Sequence, residues 1–184
     1  MRLYLTRLTL PDAPSLRHRL LSEGAYRLLS WALADAGRDP AVLTLRRTAE
    51  GKPYLTRLDG TSVGAEFSLS HSGCWAACAL ADAPNAPVGV DLERIRAVSP
   101  ALWRRYLAET PDEPMGDDYT AILRWTRYEA ALKREGRAPA PMPPADAFCT
   151  LRPIPGYLLT AIGEDVTSVC FVSERAIDKA IIIK

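Results

Sequence analysis

The chain has 184 residues, of which 48% are hydrophobic and 24% charged, and its formal net charge is +1. That length suits one sizeable domain or two small halves packed together, and the ordinary composition excludes a disordered, collagen-like or coiled-coil chain. A near-neutral chain sets up no strong overall field for nucleic acid or an anionic membrane, which leaves local basic clusters as the places where a compact anion binds.

Residues 2–9 alternate in strand fashion, with Leu3, Leu5 and Leu8 on related faces. The charged start Met1-Arg2-Leu3-Tyr4-Leu5-Thr6-Arg7 reads as that strand and not as a signal peptide. No apolar run approaches the roughly 20 residues that a bilayer span requires, so a cytoplasmic protein is expected. Pro11 and Pro14 punctuate the exit from the strand. Leu16, Leu20, Ala25, Leu28, Leu29 and Ala32 then recur at helical spacing, which predicts a helix over 15–36 ended at Gly37.

Strands are expected over 41–47, 65–70 and 74–80, with Gly51-Lys52-Pro53-Tyr54 on an intervening turn. Asp82, Pro84, Asn85 and Pro87 make a turn-rich break. Beyond it come a strand at 88–93, a helix near 99–108 and a long helix near 117–135. Residues 137–146 contain four prolines and read as a loop. Strands near 147–151, 157–161 and 167–173 follow. Two halves, residues 1–86 and 87–184, thus each offer a strand, helical material and further strands. An α/β (α+β) fold with antiparallel pairing is expected.

Cys74, Cys78, Cys149 and Cys170 form no Cys-x-x-Cys pair. With only His18 and His71 as imidazoles, they read as reduced thiols in apolar packing and not as zinc ligands.

Three segments carry chemistry. In Val88-Gly89-Val90-Asp91-Leu92-Glu93, Asp91 and Glu93 stand two apart on a strand and share a face. Adjacent carboxylates repel, and a hard cation such as magnesium relieves that repulsion; a solvated strand face is the plainer alternative. In Trp125-Thr126-Arg127-Tyr128-Glu129-Ala130-Ala131-Leu132-Lys133, Glu129 and Lys133 stand four apart on one helix face. They form either a surface ion pair or a third carboxylate beside a phosphate-facing cation. Phe67-Ser68-Leu69-Ser70-His71-Ser72-Gly73 gathers hydroxyls and an imidazole at one turn, and Lys52 precedes it. Such donors suit phosphate oxygens, and no Gly-x-Ser-x-Gly elbow is present to support a serine-hydrolase reading.

Taken in order, Gly51-Lys52-Pro53, Phe67 to Gly73, Gly89 to Glu93 and Trp125 to Lys133 resemble the 4′-phosphopantetheinyl transferases, in the Sfp-type branch that carries two related halves in one chain. The resemblance is strong over roughly residues 50–136. It implies two pseudo-symmetric halves, each with a small antiparallel sheet packed on a helix. It implies transfer of 4′-phosphopantetheine from coenzyme A to a serine of an apo acyl or peptidyl carrier protein, with release of adenosine 3′,5′-bisphosphate.

By the same resemblance Asp91, Glu93 and Glu129 hold magnesium. Lys52, Ser70 and His71 meet coenzyme A phosphates, with Pro53 near the adenine, and Lys133 neutralises developing charge. Glu129 is either base or ligand. The site being contained in one chain, a monomer is expected, with no nucleic-acid or membrane partner. Fatty acid, polyketide and nonribosomal peptide pathways all offer compatible carriers.

The chain departs from the family pattern at three places. Tyr128 stands where a lysine is usual, and the following helix runs out into Gly136-Arg137-Ala138 instead of Gly-Lys-Gly. Basic residues for the 3′-phosphate are matched only by Arg17, His18 and Arg19, of which Arg19 is the nominated contact. These departures keep open an alternative, a member that binds coenzyme A or carrier protein without transfer.

Overall fold

A computed structural model describes residues 1–110, 112–139, 141–181 and 183. The first strand, β1 (Arg2–Arg7), leads into the helix α1 (Pro14–Asp35), whose Pro14 sits at the first helical position and needs no N–H partner. A short 3₁₀ turn at Pro40–Val42 precedes β2 (Leu43–Arg47), which pairs with β3 (Pro53–Arg57) as a two-stranded ribbon. The sequence places only a turn at β3. Pro53 is its first residue, a position where a strand tolerates a missing N–H. The strands β4 (Phe67–Ser72) and β5 (Trp75–Leu80) form a hairpin around Gly73.

The second part opens with β6 (Gly89–Arg94) and the single turn α2 (Pro100–Leu102), which runs on as a π-helical stretch, Trp103–Leu107. The long helix α3 (Asp118–Glu135) is capped by the Asp117 side chain, which accepts from the N–H of Thr120. It ends at Gly136, whose φ of 74° is the left-handed conformation of a helix terminus. Strands β7 (Phe148–Leu151), β8 (Tyr157–Ile162) and β9 (Ser168–Val172) follow, and then the helix α4 (Glu174–Asp178), which the sequence pattern does not announce.

The fold is α+β. Its four-stranded sheet has the order β4-β5-β1-β9 and its three-stranded sheet the order β6-β8-β7. Every pairing is antiparallel except that of β9 with β1, which is parallel and sets Arg2 opposite Ser168.

Strand periodicity sorts the core. Tyr4 and Leu8 face α1, packing with Leu28, Leu29 and Leu33. Leu3 and Leu5 face the other way, onto Val90, Leu92, Leu159 and Ala161 of the second sheet. Leu8 therefore lies on the side opposite Leu3 and Leu5, as its even position requires. On the far face of the second sheet, Leu158 and Ile162 meet α3. Thr160 between them hydrogen-bonds Thr126 of α3 at 2.8 Å. The layers run α1, four-stranded sheet, three-stranded sheet, α3.

All four cysteines are free, and burial pushes the Cys78 thiol well up from its ordinary range. Among the described residues no helix is long and apolar enough to cross a membrane.

Candidate active site

The two sheets meet along a seam made by serine side chains. Strand β6 lies at the edge of its sheet, so the N–H groups of Val90, Leu92 and Arg94 have no strand partner on that side. Ser68, Ser70 and Ser72, two apart along β4, point their hydroxyls at those N–H groups and accept from them at 3.0, 3.1 and 3.1 Å. Ser70 then donates to Asp91 Oδ1 at 2.8 Å, and Ser72 donates to Glu93 Oε2 at 2.8 Å. A period-two run of serines thereby satisfies an open strand edge and orients two carboxylates at once.

Gly89, Asp91 and Glu93 share the face of β6 that looks toward α3. A Cβ on Gly89 would overlap the carbonyl oxygen of Ala130, so the missing side chain lets α3 lie against the strand backbone. Trp125, Glu129 and Lys133, four apart along α3, are brought over the same place. A cavity of about 380 Å³ opens there, bounded by Ser22 and Tyr26 of α1, Ser70 and His71 of β4, Asp91 and Glu93, and those three residues of α3. The two sequence segments that carry acids thus share one cleft.

The electrostatics follow from crowding. Asp91 is only 4% exposed. Its Oδ1 accepts from Lys133 Nζ at 2.6 Å as well as from Ser70, whereas its Oδ2 is buried without a hydrogen-bond partner. Burial raises the Glu93 carboxyl above its ordinary value; the Asp91 charge adds to this and the Ser72 hydroxyl opposes it. Burial, then the charges of Asp91 and Glu93, raise Glu129 against the pull of Lys133. His71 is lowered by burial and by its neighbour His18, whose ring it meets edge-on at 5.7 Å. Among the described residues no three carboxylate, imidazole or thiol groups stand close enough to hold a metal ion as placed.

A second cavity of about 320 Å³ adjoins the first, sharing Tyr26, Leu69 and Lys133 with it. Gly51, Lys52 and Pro53 line it, together with Arg47, Ser68 and Gly136. The Lys52 ammonium donates to the Arg134 carbonyl at 2.7 Å and lies 3.9 Å from Glu66.

Arg19 lines neither cavity. It is 66% exposed and faces Glu23 one turn along α1 at 3.5 Å. Tyr128 points away from the acids into an aromatic cluster with Tyr106 and Trp125, and Arg127 lies over the Phe148 ring. Neither therefore stands in for a lysine at the cleft. Tyr26 and Arg47 complete the two cavities although no motif marks them; Trp125 and Ser72 belong to the marked segments without being singled out in them, and Ser72 holds Glu93 from outside both cavities.

No protein-family model matches the chain. Its sequence is 32% identical over 120 residues to a 4′-phosphopantetheinyl transferase of Bacillus subtilis, covering 60% of this chain and 49% of that protein. It is 27% identical over 135 residues to the 4′-phosphopantetheinyl transferase Sfp of the same species, covering 70% and 55%. This chain is similar in sequence to 4′-phosphopantetheinyl transferases. A phosphopantetheinyl transferase of Thraustochytrium is 40% identical over a shorter stretch of 77 residues, 41% of this chain and 25% of that protein. The chain spans about half the length of the Bacillus transferases it matches.

Proposed function

We propose that this chain transfers the 4′-phosphopantetheine of coenzyme A to a serine hydroxyl of an apo acyl or peptidyl carrier protein. The observation that carries the reading is the convergence of Asp91 and Glu93 from β6 with Glu129 and Lys133 from α3 on one cavity. The adjoining cavity at Lys52 and Pro53 offers room for the nucleotide end of the donor.

The donor set fits a hard divalent ion such as magnesium. Asp91, Glu93 and Glu129 supply only oxygen, and Asp91 Oδ2 is a buried acceptor with nothing to accept from. Two of the carboxyls are raised first by burial and further by their neighbours' charge, and a cation relieves the second of these. When bound, magnesium offsets the negative charge of the diphosphate and of its leaving oxygen.

The remaining work falls to side chains. The carrier serine oxygen attacks the phosphorus that bears pantetheine, and the bond from that phosphorus to the bridging oxygen breaks. Adenosine 3′,5′-bisphosphate leaves with the bond's electron pair. Glu129, which lines the cavity beside Asp91 and Glu93, is the carboxylate at hand to take the serine proton, directly or through water. The Lys133 ammonium is the cation at hand for the charge growing on the leaving oxygen. Asp91 positions that ammonium, and Ser70 positions Asp91.

Incubation with coenzyme A, magnesium and a panel of apo carrier proteins, followed by intact mass measurement, tests the proposal. A phosphopantetheine-sized gain on a carrier serine is expected. Folded protein that modifies no carrier in the panel overturns it.

A further inference from the structure

Strand β9 ends the four-stranded sheet, and among the described residues no strand lies beyond it. The groups it leaves open can be named. The Leu8 N–H donates to the Cys74 carbonyl at 2.8 Å, in step with the β1–β5 register, so the even residues of β1 bond to β5 and its odd residues to β9. With Leu3 beside Val169, those odd residues engage Ser168, Cys170 and Val172. The N–H and C=O groups of Val169 and Phe171 therefore point outward, along the open edge.

The same two residues carry the exposed apolar surface of the strand. Val169 and Phe171 are 38% and 58% exposed, on the face where the second sheet covers Leu3 and Leu5. Trp75 meets the Phe171 ring edge-on at 6.1 Å. Ser168–Val172 contains no proline and no charged residue, the devices that keep an edge strand from pairing with another chain. Charges lie instead beyond its two ends. Asp165 precedes the strand and Arg175 follows it, equally far along the chain from Cys170 and both exposed. Neither side chain is in an ion pair among the described residues. Antiparallel pairing of this strand with itself brings each Asp165 toward the other copy's Arg175, whereas parallel pairing sets like charge toward like.

We infer that β9 pairs antiparallel with β9 of a second copy of this chain about a two-fold axis at Cys170, which joins two four-stranded sheets into one. Val169 of each copy then exchanges both backbone bonds with Phe171 of the other, a β-branched residue beside an aromatic one. Cys170 faces Cys170 of the second copy as a non-hydrogen-bonded pair, with Cα atoms about 4.5 Å apart. Strands β1 and β5 separate β9 from β4, so the cleft at β4 stays open in each copy. The monomer expected from a site held within one chain thus gives way to a dimer of independent sites. This pairing does not depend on the proposed transfer.

Sedimentation velocity of the full chain over a range of concentrations tests the inference. A monomer–dimer equilibrium is expected for the parent. Phe171→Lys should weaken dimerisation about tenfold, by removing both Val–Phe pairs and placing a charge on the edge. A melting temperature matching the parent shows that this variant is folded. Mild oxidation with copper phenanthroline should link the dimer through Cys170, since a disulfide spans a Cα separation of about 4.5 Å. Cys170→Ser should abolish that link and keep the dimer, while Cys74→Ser and Cys149→Ser keep both. A monomer at every concentration, a folded Phe171→Lys variant that dimerises as the parent does, or a link that survives Cys170→Ser overturns the inference.

Discussion

Replacing Ser70 by alanine separates the two jobs of the serine seam. Ser70 and Ser68 are nearly equally buried, at 6% and 5% exposure, and each accepts from one N–H of β6. Ser68→Ala leaves the Val90 N–H buried and unpaired, at a cost of about 1–3 kcal/mol. Ser70→Ala does the same to Leu92 and also removes the hydroxyl that donates to the Asp91 carboxylate. Hydrogen bonds to charged groups contribute about 1.5–3 kcal/mol, so Ser70→Ala should be more destabilising than Ser68→Ala by about 2 kcal/mol. In a chain of this size that gap is roughly 4–8 °C in melting temperature. Urea unfolding followed by tryptophan fluorescence reads both variants, and an unchanged slope keeps the comparison clean. A double-mutant cycle with Asp91→Asn should return a coupling of about 1–2 kcal/mol between the two side chains. Equal losses from Ser68→Ala and Ser70→Ala, with no coupling to Asp91, would refute the claim that Ser70 orients the carboxylate.

Gly89→Ala should cost about 1–3 kcal/mol by overpacking β6 against the Ala130 carbonyl, and transfer should fall with it because Glu129 and Lys133 move with α3; an unchanged melting temperature would contradict the close approach. Lys133→Met should lower the turnover number about 100-fold or more while changing coenzyme A affinity far less, as steady-state kinetics would show. The raised Glu129 carboxyl favours the fold fully below its ordinary pKa of 4.5, and that contribution is lost as pH rises through the raised value. Glu129→Gln without added metal should therefore melt higher than the parent at pH 7, with the advantage gone below pH 4.5. Magnesium should raise the parent's melting temperature more at pH 7.5 than at pH 5, since protons compete for the same carboxylates; a shift independent of pH would speak against carboxylate ligation.

Much of the cleft's local geometry is legible in the amino-acid sequence. Asp91 and Glu93 on one strand face, and Glu129 and Lys133 on one helix face, follow from periods of two and 3.6 residues alone. The long helices are legible for the same reason: residues 15–36 and 117–135 against Pro14–Asp35 and Asp118–Glu135. What periodicity does not reach is how elements are set against one another. Gly89 reads as an ordinary strand residue until α3 is seen lying on it. Nothing in the Arg46-Arg47 pair of the sequence signals the Tyr26 hydroxyl that α1 brings to Arg47. Arg19 carries the right charge on a helix face that looks outward. Strand β3 is hidden by its leading proline, and α4 by its brevity.

The parallel pairing of β9 with β1 has a consequence for how the protein comes into being. Strand β1 is made well before β9: one of its two neighbours follows only after more than 160 further residues have been joined. Until then the edge of β1 stands open, bearing unpaired amides that another strand can seize. The N-terminal sheet can begin as a β4-β5-β1 trio during synthesis, but its last seat stays reserved for a segment still to be translated. Such distant partnering is slow to find, and a nascent chain stalled before β9 is the form most exposed to mispairing.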